Sequence, residues 1–202
     1  MQKDQKVISD KYYYFISFIE GGAVMVIELL GAKIIAPYYG ASLYVWFSVL
    51  GVTLGGLALG YFLGGYFSGK YTSPKLLFLV ILCGAFFAAL APLIAPQIMY
   101  MTDSLGVRFG SLVSVFLYLT PPIVCMGMVS PIIIEMINNS KGSRAGRTAG
   151  TVYAVSTVGG NYRYFSFWLL PDSRIWYKNF SLYHRSSSWC NINHLFFYHQ
   201  PV

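Results

Sequence analysis

The chain has 202 residues, 56% of them hydrophobic and 10% charged, with a mean hydropathy of +0.56 and a formal net charge of +7. A soluble domain carries about 25% charged residues, so this chain lacks the polar material to cover a water-facing globule, and its composition points to a membrane protein. It excludes a disordered chain and, with three cysteines, a disulfide scaffold; charge this dilute on so apolar a chain fits loops at a membrane surface and argues against a nucleic-acid partner.

Residues 1–11 hold Lys3, Lys6 and Lys11 and read as a short N-terminal segment outside the bilayer. The hydrocarbon core needs about 20 apolar residues in helical form. Four stretches qualify, at about residues 12–36, 43–67, 76–96 and 109–136, and a fifth begins near Ala149 and stops short at Gly160. These runs are continuously apolar and do not alternate, which argues against strands. The first is too long for a cleaved signal peptide, contains Glu20 and Glu28, and lacks a small-residue cleavage pattern. Alternate connections carry eight basic residues (Lys3, Lys6, Lys11, Lys70, Lys75, Lys141, Arg144 and Arg147), against two (Lys33 and Arg108) on the other side. The positive-inside rule then puts the N-terminus in the cytoplasm. Tyr12, Tyr13 and Tyr14 stand where one interfacial belt is expected, and Tyr38, Tyr39 and Tyr44 where the other is. The expected fold class is an all-α, multi-pass protein of the cell membrane. It has four complete transmembrane helices and a partial fifth within residues 12–160, then an irregular tail over 161–202.

The second span carries Gly56, Gly60 and Gly64 at four-residue intervals, hence on one helix face, where a neighbouring helix can approach backbone to backbone. Packing within one bundle is the favoured reading of that face, with self-association or a substrate path as alternatives. Pro92, Pro96, Pro121, Pro122 and Pro131 each remove a backbone donor within a span. Breaks of this kind line sites in transporters, but no inverted repeat is visible, and curvature for packing is the simpler account. Glu20 and Glu28 lie within the first span and Glu135 closes the fourth. A charge at the bilayer centre costs about 2.5–3.5 kcal/mol on insertion scales, so these three are the candidate intramembrane functional residues, with Glu28 foremost. Either a structural buried acid or a functional one fits Glu28. Lys33 is five residues on, off the favoured i,i+4 geometry. No phosphate-binding loop, dinucleotide fingerprint or metal-spaced Cys/His set is present, so no catalytic residue, cofactor or metal is assigned. Cys83 and Cys125 read as small core residues.

Four ordered blocks carry a family resemblance: GGAVMVIELLGAKIIAPYYGASLYVW (21–46), GLALGYFLGG (56–65), PPIVCMGMVSPIIIEM (121–136) and GRTAGTVYAVSTVGG (146–160). Together they resemble the N-terminal membrane domain of spermidine-synthase-like membrane proteins, with Glu28, Pro37, Gly40 and Trp46 in matching order. The resemblance implies helices preceding a soluble, Rossmann-like aminopropyltransferase domain that binds decarboxylated S-adenosylmethionine and a diamine. None of that domain's motifs occurs here, so the chain alone is expected to have no enzyme activity. The alternative is a stand-alone transporter or channel-like domain for a small solute, a cation among the candidates.

The text changes after Gly160. All 20 glycines lie at or before it, no alanine or glutamate follows it, and His184, His194, His199, Trp168, Trp176 and Trp189 all come later. Tryptophan has one codon, TGG, so a one-base shift of frame turns each of these three tryptophans into glycine. With permissible codons the shifted reading completes the fifth helix and adds a sixth apolar span. Residues 161–202 are therefore expected to be out-of-frame translation. Cys190, His194 and His199 match no metal motif. The coding DNA is the test: one base change near the Gly160 codon should restore an apolar, glycine-containing reading, and a gene that no single-base change restores overturns the expectation.

Overall fold

The computed structural model describes residues 10–71, 73–141 and 145–169. Among the described residues there are no strands. The elements are α1 (Asp10–Tyr39), α2 (Leu43–Lys70), α3 (Pro74–Thr102), α4 (Gly106–Lys141) and α5 (Ala145–Leu169), with one 3-10 turn at Asp103–Leu105 between α3 and α4. Three stretches are long and apolar enough to cross a membrane: Lys11–Tyr39, Leu43–Lys70 and Pro74–Asn139, the last holding both α3 and α4.

Local sequence sets the helix ends. α1 stops where Gly40 adopts φ +73° and returns its N–H to the Ala36 carbonyl at 2.9 Å, a left-handed conformation that costs glycine nothing. Ser42 then caps α2 in extended geometry, its Oγ accepting from the Val45 N–H at 3.5 Å. Ser73 caps α3 in the same way, accepting from Lys75 N–H at 3.3 Å. Pro74 occupies the first turn of α3, where its missing N–H has no intrahelical partner to lose. Gly106, at φ +72°, turns the chain from the 3-10 segment into α4. α1, α3 and α4 extend a few residues beyond their apolar runs at both ends and α2 at its C-terminal end.

The packing described here is that of the compact unit ending at Tyr164. α4 is its axis. Gly56, Gly60 and Gly64 of α2 meet Ile123, Gly127 and Met128 in rising order, so α2 and α4 run parallel. Gly84 of α3 faces Cys125 and Met126, while Thr102 bonds Ser114 at 2.6 Å, so α3 runs antiparallel to α4. α1 is antiparallel as well, since Tyr118 Oη donates to the Gly31 carbonyl at 2.9 Å and Ser130 bonds Glu20. α5 runs parallel to α1, its Val152 and Ser156 meeting Ser17 and Glu20. α4 remains one helix through Pro121, Pro122 and Pro131, and α3 through Pro92 and Pro96.

Two apolar clusters fill the unit. One joins Ile35, Val49, Met99, Val115, Leu119 and Ile123; the other joins Leu77, Val80, Val129, Ile132, Ile133 and Val152. Large apolar side chains also cover the outside, among them Phe47, Leu54, Phe62, Phe78, Phe86 and Phe116, whereas Ser17, Ser48, Ser111, Ser114 and Ser130 are buried. Polar groups inside and bulky apolar groups outside invert the pattern of a soluble bundle and are compatible with a membrane protein.

The expected tyrosine belts are only partly surface features. Tyr12, Tyr38 and Tyr44 are exposed, but Tyr13 and Tyr39 are buried. Tyr39 is drawn inward because its hydroxyl pairs with Thr102 Oγ1 at 2.9 Å, over Gly110, where a Cβ would lie 2.7 Å from that hydroxyl. α5 continues nine residues past Gly160, to Leu169. The remainder of the expected tail, with Cys190, His194 and His199, lies outside the described residues.

A Cβ on Gly60 would stand 2.6 Å from the Val124 carbonyl oxygen and 2.9 Å from Gly127 Cα, whereas one on Gly55 meets nothing within 4 Å. Gly60→Ala should lower stability by about 1–3 kcal/mol through overpacking. Gly55→Ala should be neutral or stabilising by up to about 1 kcal/mol from helix propensity. Thermal or denaturant unfolding of the two variants in detergent checks the contrast.

Candidate functional site

The site is built where α1, α4 and α5 meet. Glu20 stands in the middle third of α1 and is 6% exposed. Two hydroxyls reach it from the neighbouring helices: Ser130 Oγ of α4 donates to Glu20 Oε2 at 3.3 Å, and Ser156 Oγ of α5 donates to the same oxygen at 3.1 Å. Oε1 receives no hydrogen bond among the described residues.

Glycine makes this convergence sterically feasible. A Cβ on Gly21 would overlap the carbonyl oxygen of Ser156, and one on Gly159 would overlap the carbonyl oxygen of Phe18. Gly160 lies as close on the same side, its would-be Cβ 3.3 Å from the Gly21 carbonyl. α1 and α5 therefore touch backbone to backbone, and Ser17 Oγ fastens the contact by donating to the Val152 carbonyl at 3.1 Å. Such proximity brings a side chain as short as serine within reach of a carboxylate on the adjacent helix.

Two phenols complete the surroundings. Tyr61 of α2 and Tyr153 of α5 form an edge-to-face pair with ring centroids 5.7 Å apart and planes at 73°. Tyr153 precedes Ser156 by three residues, about one turn, on α5. Tyr61 and Tyr153 are 37% and 40% exposed. No basic side chain pairs with Glu20 among the described residues. Hydrogen bonds to a charged group contribute about 1.5–3 kcal/mol each, enough for two of them to offset the insertion cost of one carboxylate. One oxygen is held and the other accepts no hydrogen bond among the described residues, and such an arrangement can receive a cation.

The three acidic candidates are not brought together. Counting helix rise, Glu28 lies about 12 Å along α1 from Glu20. It is half-buried and makes no hydrogen bond or ion pair among the described residues. Glu135 lies about 7.5 Å beyond Ser130 along α4, on the other side of the Glu20 level, and is also without such a bond among the described residues. The polar centre thus forms at Glu20 and not at Glu28, because only Glu20 faces both hydroxyl-bearing helices. Gly56, Gly60 and Gly64 are all buried against α4, so that face is occupied within the chain. Among the described residues no group of three or more His, Cys, Asp and Glu side chains converges as a metal site.

Sequence reasoning passed over Ser130, Ser156, Tyr61 and Tyr153. One signal was present: Ser17, Glu20, Gly21 and Val24 recur at three- and four-residue intervals, marking one buried face of α1 that carries a serine, an acid and a glycine. A second polar group, Tyr39, Thr102 and Ser114 with Ser48 and Ser111, ties α1 to α3, α3 to α4 and α2 to α4 near the α1–α2 connection, and it includes no carboxylate. No family model, no curated protein and no solved structure matches this chain.

The Glu20–Ser156 bond is testable by a double-mutant cycle. Ser156→Ala should cost about 1.5–3 kcal/mol in the native background and much less when Glu20 is already Leu. Equal costs in the two backgrounds, read from unfolding in detergent, would show that the bond contributes nothing.

Proposed function

We propose that this chain is a helical membrane domain of the spermidine-synthase-like membrane class, and that its Glu20 centre binds a small cation within the bundle. The stretch Pro74–Asn139 has 66 residues. As one straight helix it would run about 99 Å, over three times the hydrocarbon thickness of about 30 Å. Folded back at Asp103–Leu105, it supplies two crossings in this reading. The domain then has four complete crossings, α5 as a partial fifth, and a cytoplasmic N-terminus. The four ordered sequence blocks support the class.

The observation that carries the cation-binding reading is the buried Glu20 carboxylate, held at Oε2 by Ser130 and Ser156 and open at Oε1. The same observation favours a second reading, a stand-alone transporter or channel-like domain for a small cationic solute. The two readings share the site and differ in whether a soluble catalytic domain is linked to it.

With the purified chain in lipid nanodiscs, added cations should raise the unfolding temperature of the native protein and of Glu28→Gln, through binding to the folded state. Glu20→Gln should abolish the shift. A Glu20→Gln protein that responds to the same cations as the native chain overturns the reading.

A further inference from the structure

We infer that the groove at the α1–α2 connection seats an acyl chain of an anionic phospholipid, with Lys33 as the cationic contact of its headgroup. The inference rests on the reading of this chain as a membrane domain and is independent of the Glu20 centre. The groove is a cavity of about 200 Å³ in the angle between α1 and α2, lined among others by Ala32, Lys33 and Ala36 of α1, Ala41 of the connection, and Val45 and Trp46 of α2. Three alanines leave the room that longer side chains would take. Lys33 is the one lining residue with an ionisable side chain, and the other walls are apolar. Apolar cavities of about 150 Å³ stay dry and take apolar guests, because water finds no hydrogen-bonding partner on their walls. Lys33, Ala41 and Trp46 are exposed, and so are Leu43 and Phe47 next to them in α2. The groove therefore opens on the apolar outer surface of the bundle, where the molecules at hand are lipid tails.

Charge selects the headgroup. Counting helix rise, Lys33 stands about 9 Å before the end of α1, near enough to the interface for its ammonium to reach a headgroup while its stem lines the groove. A second cation is fixed at the same end of the bundle: the Arg108 guanidinium lies 4.7 Å from the centroid of the Tyr44 ring, and Tyr44 directly precedes Val45 of the groove. The acid at this end is Asp103, in the 3-10 turn, which follows the Thr102 hydroxyl bonded to Tyr39 at the end of α1. Two cations against one carboxylate leave this end net positive, which complements a phosphodiester whose charge is not cancelled by choline. Trp46 suits the same level, because indole rings favour the membrane–water interface.

The test uses the full chain in detergent, with Trp168→Phe, Trp176→Phe and Trp189→Phe so that Trp46 alone fluoresces. Phosphatidylglycerol and phosphatidylcholine with brominated acyl chains are titrated in as quenchers. Quenching by phosphatidylglycerol should saturate, at a concentration about five-fold or more below that for phosphatidylcholine, the preference expected of one basic residue at a lipid surface. Lys33→Gln should remove the preference and keep the quenching by phosphatidylcholine. Ala36→Phe and Ala41→Phe, which fill the groove from opposite walls, should each abolish saturable quenching by both lipids, with helicity by circular dichroism as the control for folding. Glycerol phosphate, a headgroup without chains, should not relieve the quenching. Equal quenching by the two lipids overturns the anionic assignment. Relief by glycerol phosphate overturns the acyl-chain assignment, and saturable quenching that survives in both folded Phe variants overturns the groove as the site. A native chain that stays in solution without detergent or lipid is the separate outcome that overturns the membrane reading beneath it.

Discussion

Gly60 of α2 and Gly127 of α4 approach so closely that a Cβ built on Gly60 stands 2.9 Å from Gly127 Cα, and one on Gly127 stands 3.2 Å from Gly60 Cα. Between helices surrounded by lipid there is no hydrophobic driving force of the kind that assembles a soluble bundle, because lipid tails are as apolar as leucine. Association then depends on dispersion contact and on polar groups that find one another. Both improve as the backbones close in. The small residues of α2, α1 and α5 are therefore not gaps in the packing but the surfaces through which it occurs. α4 is central because its Gly127, Ser111, Ser114 and Ser130 are met by α2, α3 and α1 on different sides.

The Glu20 centre follows from the same constraint. Serine has one of the shortest polar side chains, and Ser156 reaches the carboxylate at 3.1 Å only because Gly21 and Gly159 bring α5 onto α1. A larger residue at either glycine would push α5 outward, and the hydroxyl would lose its partner. The buried carboxylate would then lack half of its hydrogen bonds in a medium where an unsatisfied polar group is expensive. Packing and electrostatics are thus coupled: Gly21, next to the acid, and Gly159, far from it in sequence, together set its environment.

Much of this architecture was legible in the residues and some was not. Apolar run length located α1 to α4, whereas the stop of α1 at Gly40 and the caps Ser42 and Ser73 at the starts of α2 and α3 emerge from the structure. The four-residue period of Gly56, Gly60 and Gly64 identified a packing face, though nothing in α2 alone named α4 as the helix that fills it. Glu28 attracted attention because of its depth in the span. Depth along a helix is readable from residue count, but direction around the bundle depends on which helices become neighbours. Glu20 and Glu28 share the middle third of α1, yet only Glu20 meets Ser130 and Ser156. The partners came from residues 110 and 136 positions away, a separation at which one sequence carries no pairing signal.

The abrupt change of composition after Gly160 bears on the site in one specific way. Every residue that forms the centre, from Ser17 and Glu20 through Tyr61 and Ser130 to Tyr153 and Ser156, precedes the change, and so do the glycines that seat α5 on α1. Gly159 and Gly160 are the last glycines in the chain and the last residues the α1–α5 backbone contact requires. The α1–α5 contact itself continues past that point, with the Arg163 side chain against Gly22 and the Tyr162 ring 6.0 Å from that of Phe18. The carboxylate and its two hydroxyls are therefore supplied by residues before the change, while residues just after it add side-chain contacts between α1 and α5.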